Sequence, residues 1–250
     1  IAIVLVLVVS IVLATYTSFK NSIREAVNVQ TRELSAQIVY NYENYINSII
    51  ETSNIIQGDV EKYDLDDNES SGQFATFLAE IIHLKSDIMK IGVYEYTTGT
   101  CLASSNAEEM GQSLGYDGDD SHWFYEAIAD PTVHAFSVPY SEAGSNVYKV
   151  NISKQIKLES GGPFAVLKIE ISFQNFIELV EKSNLGEGGH ISAIDPQYNI
   201  VYTSLEQGAA AEEIEVVRRI VLGSHNAAIN DHDMTVNVDT LSNTKWRICV

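Results

Sequence analysis

Five aromatic side chains lie close together in the middle of the sequence, where they could line a cavity for a small ligand. They are Tyr116, Trp123, Phe124, Tyr125 and Tyr140. Small-molecule sites are concave and largely apolar, with a few polar groups that fix the orientation of the ligand. Ordinary core packing is the alternative, most of all for Phe124 and Tyr125. For Trp123 and Tyr140 we favour the cavity.

Two glutamates could bind a cationic group of such a ligand. Glu142 follows Tyr140 by two residues, and Glu170 lies in the segment AVLKIEISF. Strand alternation places Val166, Lys168 and Glu170 on one face, so a solvent-exposed sheet face is the alternative to ligand contact. A pair of carboxylates could also serve a hydrolase, although only the acidity of Glu142 and Glu170 suggests that activity.

Signatures of catalysis and of metal binding are absent from the sequence. It contains no GxSxG, HExxH, Walker A or glycine-rich dinucleotide motif. The run DGDDSHW resembles the start of a calcium loop, but His122 replaces the glycine that such a loop needs. Cys101 and Cys249 lie far apart and have no CxxC or Cys/His spacing. We therefore predict no catalytic site, no cofactor and no metal ion.

The composition favours a folded, acidic protein that does not bind nucleic acid. The chain has 34 acidic and 15 basic side chains, which gives a formal net charge of -19. A surface of this charge repels a phosphate backbone. The apolar fraction of 45% is enough to bury one elongated core or two smaller ones.

The segment Ile1–Tyr16, IAIVLVLVVSIVLATY, contains no charge and predicts a membrane span. A spanning helix needs about 20 apolar residues, so we expect that the sequence begins inside the span. A secretory signal peptide is the alternative, but no small-x-small cleavage site is evident. We assign residues 1–17 to a partial transmembrane helix and expect the chain from about residue 18 onward to lie outside the cytoplasm.

A long amphipathic helix is predicted to follow the apolar segment. Over residues 18–62 apolar side chains recur at steps of three, four or seven, without a proline. Some forty residues at roughly 1.5 Å each would rise about 60 Å from the membrane. We expect this stalk to pair with a second copy of the chain along a stripe that includes Ile23, Val27, Leu34 and Ile38. An ordinary bundle helix is the alternative.

The remainder of the chain is predicted to be α+β. We expect helices at about 72–85, 123–129, 173–182 and 212–222, and strands at about 91–96, 100–104, 135–140, 147–156, 164–171, 189–195, 200–204, 234–238 and 246–250. The segments 88–105 and 187–204 both consist of a strand, a tight turn, a second strand and then a serine. This repetition predicts two similar antiparallel sheet units in tandem.

Taken together, these segments resemble a double-Cache domain, the PAS-like sensor pair found outside the membrane in bacterial chemoreceptors, sensor histidine kinases and diguanylate cyclases. The resemblance covers residues 18–250. It rests on the order and spacing of IGVYEYTTGTCLASS, WFYEAI, VPYSEAGSNVYKVNISKQI, FAVLKIEISF, HISAIDPQYNIVYTS and TKWRICV. It implies a membrane-distal unit with the ligand pocket at 63–182, a membrane-proximal unit at 183–250, and a second membrane span with an output module beyond Val250.

The resemblance also implies a set of site residues. Many family members bind amino acids through a Tyr, an Arg two residues before a Trp-Tyr pair, a second Tyr with an Asp two residues on, and an Asp on a later strand. Here those positions hold Tyr116, Ser121, Trp123, Phe124, Tyr140, Glu142 and Glu170. Ser121 replaces the Arg, whose two parallel donors match a carboxylate. Phe124 replaces the Tyr of the Trp-Tyr pair, and the glutamates replace aspartates.

The missing arginine predicts the charge of the ligand. With Ser121 in its place, an anion would be buried without a partner. Glu142 and Glu170 could instead pair with an ammonium group, and the surrounding aromatic rings could attract a cation. We therefore expect a small amine or another cationic or neutral molecule. An amino acid whose carboxylate is held by His122 or by backbone N–H groups is the alternative.

The sequence thus predicts the extracytoplasmic small-molecule sensing part of a bacterial transmembrane receptor, anchored in the membrane, dimeric and without catalytic activity. The receptor would be a chemoreceptor, a two-component sensor kinase or a cyclase. A membrane-anchored adhesive or structural ectodomain is the alternative, because it would share the anchor and the acidic surface. A surface hydrolase is a further one.

Overall fold

The computed structural model describes residues 2–114, 122–141, 147–158, 162–183, 185, 189–204, 223–229 and 232–250. The chain divides into two compact units. Tyr42–Lys182 form one of them, called the central unit below, and Ile1–Asn41 together with Ser183–Val250 form the other, called the terminal unit.

Helix α1 extends without interruption from Ala2 to Val60. The helix contains no proline, which would remove a backbone donor and end or kink it. It is long and apolar enough to cross a membrane, and its most apolar window is fully exposed in the structure. Farther along the helix, Ile38 is only 1% exposed, whereas Ile23 and Val27 are 47% and 46% exposed. Ile38 is therefore covered by its own chain, and its inclusion in the predicted pairing stripe is wrong.

Among its described residues, the central unit contains one antiparallel sheet, three further α-helices and a short 3-10 helix at Ala107–Glu109. Asp67 accepts a hydrogen bond from the backbone N–H of Ser70 at 2.9 Å, which caps the first of these helices. The helices are α2 (Asn68–Leu84), α3 (His122–Ala129) and α4 (Gln174–Glu181), and the strands are β1 (Ile88–Glu95), β2 (Cys101–Ser104), β3 (Ala135–Phe136), β4 (Lys149–Lys157) and β5 (Pro163–Ser172). In space the strands follow the order β2-β1-β5-β4-β3.

The terminal unit contains a second antiparallel sheet. Its strands are β6 (Ser192–Ile194), β7 (Ile200–Thr203), β8 (Gly223–Ile229), β9 (His232–Thr240) and β10 (Arg247–Cys249), in the spatial order β7-β6-β10-β9-β8. In this unit the side chain of Ser35 in α1 donates a hydrogen bond to Asp239 of β9. The predicted α+β class, with a long helix and two antiparallel sheet units, is confirmed.

Equivalent serines close the first hairpin of both sheets. In the central unit, the N–H of Ile91 donates to Ser105 Oγ at 3.0 Å, and the N–H of Ser105 donates to the Ile91 carbonyl at 2.9 Å. In the terminal unit, Ile191 and Ser204 form the same two bonds at 2.9 and 3.0 Å. The serine at the end of each predicted segment therefore has the same structural role. The internal repeat in the sequence extends to these hydrogen bonds.

The observed strands differ from the expected ones in two places, and one expected helix is not covered by the structure. The strand expected at 135–140 is confined to Ala135–Phe136, and an isolated bridge then pairs Tyr140 with Lys149. Strand β8 was not predicted, because its sequence GSHNAAI has no apolar alternation. The helix expected at 212–222 lies outside the described residues.

Candidate ligand-binding site

The central unit contains an open cavity of about 880 Å³. This volume lies within the range of roughly 300–1,000 Å³ that is usual for small-molecule sites. The polar and aromatic residues around it come from β1, α3, β4, β5 and the segments that connect them. The lining consists of Lys90, Tyr94, Cys101, Glu109, Gln112, Ser113, Leu114, His122, Trp123, Ser137, Val138, Tyr140, Ser141, Asn151, Lys168 and Glu170.

The register of three strands places the polar side chains of the cavity in rows. Glu170 in the central strand β5 lies opposite Lys90 of β1 and Asn151 of β4. Two residues earlier, Lys168 lies opposite Gly92 and Ser153. Because side chains of a strand alternate between faces, residues two apart share a face. The charged residues of β5 and β1 therefore lie on the same face of the sheet.

Gly92 leaves room for an aromatic ring on this face. A Cβ atom at this position would lie 2.8 Å from Cε2 of Tyr94, which is closer than non-bonded carbons approach. Tyr94 packs edge-on against Trp123, with ring centroids 5.0 Å apart. Glycine at position 92 thus lets Tyr94 lie across the sheet, next to the wall formed by α3.

Helix α3 places Trp123 at the cavity and Phe124 in the core. Ser153 Oγ donates a hydrogen bond to the Trp123 carbonyl at 2.8 Å, which ties the helix to β4. Phe124 belongs to a buried apolar cluster with Tyr94, Cys101 and Trp123, and it does not line the cavity. Trp123 therefore belongs both to this cluster and to the cavity lining, whereas Phe124 belongs to the cluster alone.

Glu170 is the buried charge at the centre of the site. Its side chain accepts a hydrogen bond from Tyr140 at 2.9 Å on Oε2, and Lys149 Nζ lies 3.0 Å from Oε1. The ammonium groups of Lys168 and Lys90 lie 3.8 and 3.9 Å from Oε2. Both oxygens are therefore engaged by the protein itself, and the expected pairing of Glu170 with an ammonium group of a ligand stays a prediction.

The pKa of Glu170 reflects this environment. Burial by itself raises the pKa of the carboxyl group, but the hydrogen bond to Lys149, the charge of Lys90 and the hydrogen bond to Tyr140 together lower it below its ordinary value. Glu170 is 3% exposed. At neutral pH it is thus a buried carboxylate that neighbouring cations stabilise.

Two lysines of the cavity wall have further contacts. Lys90 Nζ lies 2.7 Å from Glu109 Oε1. Lys168 Nζ lies 4.9 Å from the ring centroid of Trp123, which is a cation–π distance. The charged groups of this wall therefore alternate in sign from Glu109 through Lys90 and Glu170 to Lys168.

Cys101 also lines the cavity, in strand β2. Burial, followed by the charge of Glu109, raises the pKa of its thiol to about 12. The thiolate is the nucleophilic form of cysteine. Cys101 is therefore an unreactive wall residue at neutral pH.

The structure brings some of the predicted site residues together. Trp123, Tyr140, Glu170 and His122 all line the cavity, and His122 is largely exposed with Nδ1 3.3 Å from Glu126. Tyr116, Ser121 and Glu142 lie outside the described residues. The assignment of all these residues to ligand binding stays a prediction.

Lys90 and Lys168 line the cavity, although neither was among the candidate site residues. Lys168 had been placed on the same strand face as Glu170, and Lys90 precedes Gly92 and Tyr94 at the same two-residue spacing. A lysine in an otherwise apolar central strand is a usable signal, because lysine is rarely buried without a partner. What the sequence could not indicate was that Lys90 and Lys168 converge on one carboxylate.

Comparison with known proteins places this geometry in context. The chain is 22% identical over 191 residues to the methyl-accepting chemotaxis protein McpA of Bacillus subtilis. The match covers 75% of this chain but 27% of McpA, so the chain spans about a quarter of that relative's length. No family model matches the chain.

Solved structures are similar over nearly the whole chain. The ligand-binding domain of the Pseudomonas aeruginosa amino acid chemoreceptor PctC, solved with GABA, has a TM-score of 0.67 at 12% identity, and the match covers 87% of this chain and 95% of PctC's. The sensory domain of the Campylobacter jejuni chemoreceptor Tlp3, with isoleucine bound, has a TM-score of 0.69 at 15% identity and coverages of 92% and 94%. The chain therefore has the fold of chemoreceptor ligand-binding domains, the double-Cache fold that its sequence resembles.

Proposed function

We propose that this chain is the extracytoplasmic small-molecule sensing domain of a bacterial transmembrane signalling receptor. The observation that carries the proposal is the 880 Å³ cavity, walled by Trp123, Tyr140 and buried charged side chains, in a chemoreceptor-type fold. An adhesive or structural ectodomain does not need a cavity of this kind. The similarity to McpA favours a chemotaxis receptor among the receptor classes.

The domain is proposed to bind its ligand without converting it. The solved structures with the same fold are named as ligand-binding or sensory domains. In the cavity, both oxygens of Glu170 are held by Lys149 and Tyr140, and Glu109 is held by Lys90. A carboxylate that serves as general acid or base must be free to exchange a proton with the substrate, and neither of these is.

A ligand-dependent melting experiment tests the sensing function. The chain in nanodiscs is screened against a library of amino acids, organic acids, amines and sugars, and a ligand that binds the folded state raises the melting temperature. Val138 lines the cavity and Val133 does not, while both are 51% exposed. Val138→Trp should reduce the stabilisation, and Val133→Trp should leave it unchanged.

Two results of that screen would contradict the proposal. Stabilisation that survives in Val138→Trp would mean that the ligand binds elsewhere. The absence of stabilisation by any compound would favour the structural ectodomain. Chemical change of a stabilising compound, followed by NMR over hours, would instead identify an enzyme.

Membrane topology and oligomeric state are further parts of the proposal. We propose that residues 1–17 lie in the membrane and that the chain from about residue 18 is extracytoplasmic, with the distal unit at 63–182 and the proximal unit at 183–250. Asp66 is exposed, and both native cysteines are buried. An Asp66→Cys variant on intact cells should therefore react with an impermeant thiol reagent. Labelling only after lysis would contradict this topology.

A dimer along α1 is proposed from the exposed apolar residues in its first half. Phe19, Ile23 and Val27 are all more than 45% exposed, and a partner helix would remove them from water. Gln30 and Gln37 are exposed on the same helix. Cysteine substitutions at Gln30 or Gln37 should crosslink two copies of the receptor in membranes. A monomer with and without ligand would contradict the dimer.

A further inference from the structure

Asn151 is a buried residue of β4 that lines the ligand cavity. The residue is 5% exposed. In the register of the sheet it lies opposite Glu170 of β5. Paired residues of neighbouring strands point to the same face of a sheet, so Asn151 lies on the cavity side, beside the buried carboxylate.

Asn151 is held in place by the segment that follows β3. Its backbone N–H donates to Ser137 Oγ at 2.9 Å, and its backbone carbonyl accepts from the N–H of Ser137 at 3.0 Å. Its side-chain Oδ1 accepts from the hydroxyl of Tyr140 at 3.0 Å, and that hydroxyl shares its proton with Glu170 Oε2 at 2.9 Å. An amide group is planar, so the bond to Oδ1 also sets the direction of Nδ2.

The amide nitrogen of Asn151 is a hydrogen-bond donor without an acceptor in the described part of the chain. The hydrogen bonds of this residue run through Oδ1 and the backbone, and Nδ2 forms none. Buried polar groups are hydrogen-bonded in the great majority of cases. Because Asn151 lines an open cavity, a molecule in the cavity can supply the acceptor.

Trp123 provides a second unused donor in the cavity wall. Its indole Nε1 is buried and has no hydrogen-bond partner among the residues that the structure describes, and the residue is 3% exposed. Ser153, two residues after Asn151 on β4, binds the Trp123 carbonyl. The carboxylates of the wall, Glu109 and Glu170, are by contrast already hydrogen-bonded within the chain. Two neutral N–H donors of this wall are therefore available to a ligand.

We propose that Asn151 is a ligand-binding residue whose Nδ2 donates a hydrogen bond to an oxygen atom of the ligand. The proposal rests on the sensing function proposed above and adds a specificity-determining residue to the same site. A carbonyl, carboxylate or hydroxyl oxygen can accept from this amide, whereas an ammonium group has only donors. A site with a buried donor selects against an analogue that lacks the acceptor, because the donor would then stay unpaired.

The donor of Asn151 narrows the ligand class that the sequence favours. With Ser121 in place of the arginine, the sequence favours an amine or another cationic or neutral molecule. Of those compounds, the Asn151 amide selects the ones that also carry an oxygen acceptor, such as amino alcohols, amino amides and polyols. Simple alkylamines and diamines lack the acceptor.

Four probes with the same carbon skeleton test the need for an oxygen acceptor: butylamine, 4-aminobutan-1-ol, 4-aminobutyramide and 4-aminobutyrate. Each is titrated by calorimetry against the chain in nanodiscs, together with the library of amino acids, organic acids, amines and sugars. The compounds that bind should carry an oxygen atom, and butylamine should not bind. If butylamine or a diamine binds as tightly as its oxygen-bearing analogues, the role of Asn151 is wrong while the sensing function stands. If no compound binds, the sensing function itself is contradicted, and the role of Asn151 with it.

Two amide variants of β4 test the residue directly. Asn151→Leu removes the donor, and it should weaken the tightest oxygen-bearing binder by about threefold to tenfold. Gln155→Met removes a buried amide from the same face of β4, where Gln155 is also 5% exposed but does not line the cavity, and it should leave the affinity unchanged. If Asn151→Leu does not fold, Asn151→Ala replaces it. Undiminished binding in the folded variant, or an equal loss in Gln155→Met, would overturn the proposal.

Discussion

The two sheets of the molecule have the same strand order, but the row of residues across their central strands differs. In the central unit the row is Gly92, Lys168 and Ser153, and in the terminal unit it is Ser192, Cys249 and Val238. The serine contacts of Ile91 and Ile191 make Gly92 and Ser192 equivalent positions. Two sheets with the same strand order can therefore hold either a lysine or only uncharged residues at these equivalent positions.

The contacts that hold each sheet together are the same in both units, whereas the residues at these equivalent positions differ. Both hairpins are closed by the same serine contacts, and both central strands are paired on each side. In the central unit, Gly92 lies on the same sheet face as Lys90 and Lys168, which line the cavity. In the terminal unit, Ser192, Cys249 and Val238 are all at most 1% exposed.

Loss of the buried carboxylate should have the largest effect on stability. Glu170→Gln leaves three nearby lysines without their common partner, and we expect it to lower the free energy of unfolding by about 3 kcal/mol. Glu178 and Lys182 form an exposed pair on α4 at 2.9 Å. Glu178→Gln should therefore cost less than about 0.5 kcal/mol. Urea denaturation at pH 7 measures both, and equal costs would contradict the central role of Glu170.

The cost of Glu170→Gln should also depend on pH. The pKa of Glu170 in the folded state lies below its ordinary value. The carboxylate therefore contributes stability above the ordinary carboxyl range, and this contribution is lost as the pH falls through the lowered pKa. The difference between the parent chain and Glu170→Gln should shrink toward acidic pH. A constant difference would mean that the interaction is not ionic.

Substitution of the cavity-side glycine should be the next most costly change. Gly92→Ala places a Cβ against the ring of Tyr94, and we expect a loss of about 2 kcal/mol because the ring must move. At the equivalent position, Ser192→Ala removes only a hydroxyl that lies 2.8 Å from Thr203 Oγ1, and it should cost about 1 kcal/mol. A Tyr94→Ala background should remove most of the Gly92→Ala cost. If it does not, the crowding explanation is wrong.

Acid should weaken the central unit through His134. Its Nε2 lies 3.0 Å from Ser53 Oγ of α1. Burial and the nearby charge of Lys154 lower the pKa of this imidazole to about 4. In the unfolded chain it titrates near 6.5, so stability falls as the pH drops from about 6.5 to 4.

The corresponding variant is His134→Gln. Because the ring is partly exposed, we expect the parent chain to lose only about 1–2 kcal/mol more than the variant over this range. Denaturant midpoints between pH 8 and pH 4 provide the measurement. Parallel curves for the two proteins would contradict the assignment to His134.

The smallest expected effect concerns the shared serine contacts. Ser105→Ala should cost about 1 kcal/mol, because it removes the acceptor for the N–H of Ile91. Ser204 is more exposed, so water can replace its contact with Ile191, and Ser204→Ala should cost about half as much. Thermal melting of both variants tests whether the hairpins are equivalent. A larger cost at Ser204 would contradict the role of burial.

A large part of the fold followed from patterns in the sequence. The uncharged start and the helical periodicity predicted α1, and alternation predicted β4 and β5 within one or two residues of their ends. Strand β8 was missed because an edge strand can pair through its backbone without an apolar face. Of the candidate site residues, Trp123 and Tyr140 line the cavity and Phe124 lies in the buried cluster. Their roles in ligand binding stay predictions.

The sequence by itself determined the α+β fold class. Apolar periodicity, the length of an uncharged apolar run and the positions of turns are local properties of the chain, so they can be identified without the tertiary structure. It also determined that Lys168 and Glu170 share a face. Only the tertiary structure decided that Lys90 and Lys149 join them, since the pairing of β1 and β4 with β5 brings together residues up to eighty positions apart in the chain. The charge of a buried site depends on such distant partners, because each ionised group is stable only beside the groups that neutralise it.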